Sequence, residues 1–127
     1  FNNFTSFTGL DSQNLRRLFI RNNNIEGPIP SLSNLTRMYD CYMNNNLFDS
    51  YTVGSFGTLI RLRRLDISNN PNLTEGDINT IIDDLYQNYQ NRPRTRVTIN
   101  IRNTATPTGD AVDKISFLIE NGWTIRT

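Results

Sequence analysis

Few side chains in this chain could make or break bonds. Its 127 residues include no histidine and one cysteine, Cys41. No imidazole is therefore present to ligate a metal, complete a nucleophile–base triad or shuttle protons near neutral pH, and no internal disulfide can form. Cys41 has no activating base and falls at an inward position of an apolar pattern, which reads as a core thiol. Two carboxylate pairs, Asp83 with Asp84 and Asp110 with Asp113, do not suit acid–base work. Adjacent residues on a helix point apart, and an i, i+3 pair at a helix start reads as a cap. The glycines form neither G-x-G-x-x-G nor G-K-[ST], so no phosphate-cradling loop is encoded. No catalytic residue, metal or cofactor is expected.

What remains is the chemistry of recognition. The balance of 13 basic against 12 acidic residues gives a net charge of +1, with no global pull towards nucleic acid. Twelve of those cations are arginine and one is Lys114, which favours planar, bidentate and stacking contacts over point charges. No apolar run approaches the roughly 20 residues needed to cross a bilayer. Neither a nucleic-acid partner nor membrane insertion is expected. The N-x-[ST] triplets at Asn3, Asn34 and Asn72 are about as many as chance gives in so Asn-rich a chain, and carry no information on secretion.

Recognition needs a surface, and the asparagines show how one is built. Nineteen residues are Asn, clustered as Asn22, Asn23, Asn24 and Asn44, Asn45, Asn46, and regular spacing of such clusters marks a repeated unit. Leu15, Leu18, Ile20, Asn23 and Ile25 fall on L-x-x-L-x-L-x-x-N-x-L. Leu62, Leu65, Ile67 and Asn70 fall on the same frame, with one extra residue before Leu73. Between them a looser copy places Tyr39 and Cys41 inward and Asn44 at the Asn position after a one-residue insertion, a register that turns Asp40 outward and avoids burying its carboxylate. Asn2 and Phe4 read as the end of a truncated earlier copy, so the chain reads as the C-terminal part of a longer one. One copy buries too little to be stable, whereas stacked copies share a Leu/Ile core. Inward amides at Asn23, Asn44 and Asn70 form a ladder that satisfies backbone groups where the chain turns out of each strand.

After Leu73 the period becomes helical. Thr74 with Asp77 resembles a capping box, and Ile78, Ile81, Ile82, Leu85, Tyr86 and Tyr89 recur on one face of a helix that ends before Pro93. Alternating Val97, Ile99 and Ile101 predict a further strand. A second helix is predicted from Asp110 to Asn121 with Val112, Ile115, Leu118 and Ile119 inward, stopped by Gly122. Trp123 then plugs the end of the stack, and Thr124 to Thr127 read as an edge strand.

The repeated frame resembles the leucine-rich repeat family, and Asn23, Ile25, Gly27, Ile29, Pro30, Leu32 and Leu35 match the form N-x-L-x-G-x-I-P-x-x-L-x-x-L, often called plant-type. The segment from Ala105 to Thr127, with its P-T-G, helix, G-W, strand order, looks like the closing cap on leucine-rich domains of bacterial surface and bacteriophage virion proteins. The resemblance implies an α/β fold: a short right-handed leucine-rich repeat solenoid, with a parallel sheet on one face, turns or helices on the other and a helical C-terminal cap. Residues 1–104 would hold the repeats and 105–127 the cap.

In such an architecture the outward strand residues form one ribbed face, read here in three columns. These are Arg17, Met38, Arg64 and Arg96; Phe19, Asp40, Asp66 and Thr98; and Arg21, Tyr42, Ser68 and Asn100. Arginine and aromatic side chains are the commonest interface anchors, so the candidate ligand-binding residues are Arg17, Phe19, Arg21, Met38, Asp40, Tyr42, Arg64, Asp66 and Arg96. The resulting expectation is a non-catalytic recognition or scaffold module for a protein or surface glycan. By resemblance it would belong to a virion or a cell surface, with other subunits of such an assembly as further partners. Pure packing within a virion and intracellular protein binding are the alternatives.

Overall fold

The computed structural model describes residues 13–127; the truncated copy read at Asn2 and Phe4 lies outside them. The elements are β1 (Arg17–Phe19), β2 (Glu26–Ile29), β3 (Asp40–Tyr42), β4 (Leu47–Tyr51), β5 (Arg64–Asp66), α1 (Glu75–Asn91), β6 (Thr98–Asn100), α2 (Asp110–Glu120) and β7 (Thr124–Arg126). Five of the strands form one parallel sheet in the order β1-β3-β5-β6-β7, and β2 pairs with β4, also in parallel, in a second sheet. The chain therefore has an α/β fold.

The large sheet is held in register by its inward row. Leu18, Cys41, Leu65, Ile99 and Ile125 lie side by side across the five strands, and the first four are buried in one apolar core with Met38, Met43, Ile67 and Ile101. This register corrects the middle copy. With Leu18 beside Cys41, residues Met38, Cys41, Met43, Asn46 and Phe48 occupy the frame of Leu15, Leu18, Ile20, Asn23 and Ile25, and no insertion is needed. The expected frame is thus two residues out: Tyr39 is 44% exposed, while Met38, expected on the outer face, is fully buried. Within a strand side chains alternate with a period of two, so a two-residue slip keeps Asp40, Cys41 and Tyr42 on the same sides of the sheet, whereas Met38 and Tyr39, in the three-residue step before β3, exchange sides. Turning Asp40 outward could not tell the two frames apart. Two methionines and a cysteine at Leu positions hid the true one, although all three pack as apolar core.

Asparagine plays two structural parts. The buried column is Asn23, Asn46 and Asn70, not Asn44. The Asn46 amide donates to the carbonyls of Ile20 (2.9 Å) and Met43 (3.2 Å) and accepts from the Ile25 N–H (3.3 Å). One turn later Asn70 donates to Met43 and Ile67 (both 3.0 Å) and accepts from the Phe48 N–H (3.3 Å). The preceding column, Asn22, Asn45, Asn69 and Asn103, has φ of 59°, 58°, 55° and 54°, the left-handed region that Asn tolerates better than most residues. Amides of this outer column bond each other, Asn45 to Asn22 (2.9 Å) and Asn103 to Asn69 (2.7 Å). Each Asn pair therefore divides the work: the first residue turns the chain and the second satisfies the turn. Asn44 belongs to neither column and sits on the outer face in line with Arg21 and Ser68.

The back of the stack follows the same repeat. Leu32, Leu35 and Met38 form successive turns through Leu35 N–H to Leu32 O (2.8 Å) and Met38 N–H to Leu35 O (2.9 Å), and Phe56, Leu59 and Leu62 repeat the arrangement. The β2–β4 pairing was not expected, because Gly27 and Pro28 argue against a strand. It is accommodated by a register shift between those two residues and a φ of +82° at Gly27.

Helix α1 carries the capping box, with Asp77 N–H donating to Thr74 Oγ1 (3.2 Å) and Thr74 N–H to Asp77 Oδ2 (2.9 Å). It docks through polar groups as well as through Ile78, Ile81, Ile82 and Leu85. Buried Asn88 donates to the carbonyls of Phe56 (2.8 Å) and Leu59 (2.9 Å). Buried Asp84 accepts from the Gly54 N–H (2.7 Å) and, in a short bond, from the Tyr51 hydroxyl. Helix α2 packs on α1 through Ala111, Leu118 and half-buried Ile115 and Phe117, the last set edge-on to Tyr86 and Tyr89. Val112 and Ile119, expected inward, are each 49% exposed. They sit one residue beyond that i, i+3, i+4, i+7 stripe, on its outer edge. Gly122 (φ +92°) ends the helix in a Schellman motif, with Trp123 N–H bonded to Leu118 O (3.0 Å) and Gly122 N–H to Ile119 O (3.1 Å). Trp123 is buried, its indole N–H donating to Arg94 O (2.9 Å).

Candidate recognition surface

The outer face of the large sheet is a grid set by the strand register. Arg17, Asp40, Arg64, Thr98 and Thr124 form one row across the strands, and Phe19, Tyr42, Asp66, Asn100 and Arg126 form the next. Of the nine candidate residues, Arg17, Phe19, Asp40, Tyr42, Arg64 and Asp66 lie in this grid, and Arg21 flanks it beyond Phe19. Met38 does not reach the face, because it occupies a Leu position of the core. Arg96 lies two residues before β6, at a φ of +63°, with its N–H bonded to Gly122 O (3.0 Å). The same two-residue slip that misplaced the middle copy had aligned it with Arg64; Thr98 stands there instead.

The corrected register brings together two aromatic side chains that the sequence columns had separated. Phe19 and Tyr42 are cross-strand neighbours, stacked with ring centroids 5.2 Å apart and planes within 14°. The Arg21 guanidinium lies over the outer side of this pair, 5.8 Å from the Tyr42 ring. Phe19 is nevertheless 55% exposed, so this is an apolar platform facing solvent and bordered by charge. Its neighbours are fixed. Contrary to the expectation that the outward register leaves its carboxylate unburied, Asp40 is only 5% exposed, because it lies between Arg17 and Arg64 in the register, with Arg17 Nε 3.4 Å from Oδ2. Asp66 Oδ1 accepts from the Ser68 N–H (2.9 Å) and hydroxyl (2.6 Å), while Oδ2 accepts from Asn100 (3.3 Å). Beyond the platform a shallow depression is lined by Tyr42, Arg64, Asp66, Thr98, Asn100 and Arg126.

The groups considered for catalysis have structural positions. Cys41 is fully buried beneath the face, and burial pushes its thiol up to about 12, which suppresses the thiolate that nucleophilic chemistry requires. Asp84 is buried in the network with Tyr51 and Gly54, and Asp83 points away to bond Lys114 at 2.6 Å. Among the described residues no group of three or more Cys, Asp and Glu side chains could hold a metal ion, and no helix is long and apolar enough to cross a membrane. The sequence reading missed a second cluster, the arginines at the entrance to the strands. The signal was there in Arg16, Arg37, Arg61, Arg63 and Arg92, but it was visible only as scattered positions.

Comparison with known proteins agrees with this repeat geometry. A family model described as Leucine Rich Repeat matches residues 14–35 and 61–86, the copies whose Leu and Ile positions are intact. No curated protein matches the chain, and no solved structure does. The unmatched middle copy, with Met38, Cys41, Met43 and Phe48 in place of leucines, pairs strand for strand with both matched ones. The chain therefore carries leucine-rich repeats at residues 14–35 and 61–86.

Proposed function

We propose that this chain is a non-catalytic recognition module that docks a protein partner on the outer face of its five-stranded sheet. The observation that carries this reading is the exposed Phe19–Tyr42 stack flanked by Arg21. An unpartnered aromatic pair costs solubility, and aromatic and arginine side chains are the residue types richest in binding energy at interfaces. Arg17, Arg64 and Asp66 border it with charges of both signs, which suits a partner of mixed charge. Leucine-rich repeats suggest protein–protein interaction, and the family is generally non-catalytic, in keeping with this reading.

The finer setting we propose is a surface or particle-borne one, and it rests on the resemblance of residues 105–127 to closing caps of bacterial surface and virion proteins. The intact mass and copy number of the native material test it: a symmetric multi-copy assembly supports the setting, and a free monomer overturns it.

The docking face is tested by quantitative affinity capture from the native source, comparing the parent with Phe19→Ala, Tyr42→Ala and the distant surface variant Val53→Ser. Loss of a hot-spot aromatic costs about 2 kcal/mol, roughly a 30-fold weakening. The expected result is a protein captured by the parent and Val53→Ser and lost from both aromatic variants. Equal capture by all four overturns the assignment, as does a glycan ligand whose binding ignores Phe19 and Tyr42.

A further inference from the structure

The second cluster lies at the end of the sheet where the chain enters its strands. A cleft there is lined by Arg16, Arg37, Tyr39, Arg61, Arg63 and Arg92. The repeat stacks these residues by layer. Arg16, Tyr39 and Arg63 are equivalent positions immediately before β1, β3 and β5, tied by Tyr39 N–H to Arg16 O (2.6 Å) and Arg63 N–H to Tyr39 O (2.8 Å). Arg37 and Arg61 are likewise equivalent, each immediately before the last residue of a Leu-x-x-Leu-type turn. Arg92, at the end of α1, closes the far side with a guanidinium N–H on Ile60 O (3.1 Å).

Neighbouring layers of a parallel sheet are about 4.8 Å apart, so the stacked positions of Arg37 and Arg61 bring like charges to one cleft with Arg16, Arg63 and Arg92, an arrangement that destabilises a fold when nothing offsets it. Among the described residues nothing does. None of their carboxylates lines the cleft, and their two ion pairs, Arg17–Asp40 and Lys114–Asp83, involve none of the five. The C-terminus of α1 favours a cation at Arg92, but no helix end accounts for the other four. Four of the five, Arg16, Arg37, Arg61 and Arg63, donate no guanidinium N–H to the described protein. The Arg63 guanidinium is set over the Tyr39 ring at 5.8 Å, which fixes one wall. Half-buried Arg94 next to the cleft feels the same field: burial, then repulsion from Arg92 and Arg63, lowers its guanidinium to about 10.

We propose that this cleft binds a multiply charged tetrahedral oxyanion, a phosphate or sulfate group carried by a ligand, gripped by Arg37, Arg61 and Arg63 with Arg16 and Arg92 at its margins. Guanidinium is the side chain best suited to such a group, offering paired N–H donors in a plane, and it stays charged at any physiological pH. A single carboxylate would leave most of the donors unused. The site is separate from the aromatic platform and goes beyond the protein-docking reading.

The test is isothermal titration of the whole chain with inorganic pyrophosphate and with sulfate, against chloride at matched ionic strength. It is run on the parent, on the Arg37→Gln/Arg61→Gln double variant and on Arg102→Gln as a control at the opposite end of the strands. Saturable binding to the parent and to Arg102→Gln, weakened at least about tenfold in the double variant, is the expected result; preference for one anion over the other names the group. The double variant should melt no lower than the parent, because losing two crowded like charges relieves repulsion, and this separates loss of binding from loss of fold. Binding no stronger than that of chloride, or undiminished in the double variant, overturns the proposal.

Discussion

At the scale of single residues, the least expected feature is how differently chemically identical neighbours behave. Asn69 and Asn70 are adjacent, yet Asn69 is exposed at a φ of +55° while Asn70 is buried with its amide on three carbonyls and a backbone N–H. Asn70→Ala orphans those groups, and stability is expected to fall by about 3 kcal/mol or more. Asn69→Gly keeps the backbone conformation and is expected to cost less than about 1 kcal/mol. Urea unfolding of both variants checks the contrast, and equal losses would contradict the division of labour between the two columns. Cys41 gives a pH-dependent prediction. Its thiol, ordinarily near 9.0, is pushed up to about 12 by burial, so the folded state holds that proton over a range in which the unfolded chain releases it. The contribution to stability is complete below the unfolded value and is lost as pH rises through the folded one. Between about pH 8 and pH 10.5 the parent should therefore lose about 2 kcal/mol more stability than Cys41→Ala. In the native state at about pH 8 the thiol should resist alkylation until the chain is unfolded.

At the scale of elements, strands of three residues are held by what flanks them. β1, β3 and β5 are each followed by an Asn pair that turns the chain, β6 by Asn103 alone, and the closing helix α2 is ended by a Schellman motif at Gly122 and Trp123. Gly122 has φ +92°, and a Cβ there would lie 2.7 Å from Thr95 Cγ2. Gly122→Ala therefore meets both backbone strain and a clash, and is expected to lower stability by about 1–3 kcal/mol. Gly109, also at positive φ but with nothing within 4 Å of a Cβ, is expected to lose less on the same substitution. Thermal melts of the two alanine variants test the difference. Much at this scale was legible: the capping box at Thr74 and Asp77, the end of α1 before Pro93, the strand at Val97 to Ile101 and the stop at Gly122 all follow from local chemistry. The β2–β4 sheet was not legible, since its Gly27 and Pro28 read locally as a turn and its pairing partner lies a full repeat away.

At the scale of the whole molecule, the question is what joins the regular stack to the helices. Besides the apolar core, the joint is a set of α1 side chains reaching back to the preceding turn: Asn88 to Phe56 and Leu59, Asn91 to Gly57, and Asp84 to Tyr51 and Gly54. Asp84→Ala removes the acceptor of a buried hydroxyl and a backbone N–H at once and is expected to cost about 3 kcal/mol. Asp83→Ala removes an exposed ion pair with Lys114 and is expected to cost less than about 1 kcal/mol. Chemical unfolding of the two variants distinguishes a joint from a surface decoration. The recognition surface also belongs to this scale. Its residue types, Arg17, Phe19, Arg21, Tyr42 and Arg64, could be named from their outward positions, but which of them touch could not.

The sequence by itself determined the repeat, the α/β class, the inward rows of the outer copies, the helices and the absence of histidine chemistry, because each is written in local period, caps and composition. Only the tertiary structure decided the register of the middle copy, and with it the Phe19–Tyr42 stack, the buried place of Met38 and the choice of Asn46 over Asn44. The arginine cleft was decided in the same way, since its residues come from four successive layers and meet only when the layers are stacked. The physical reason is common to all of these. Alternation tells inside from outside but is blind to a slip of two residues, and that ambiguity is removed only when neighbouring strands pair and fill one core.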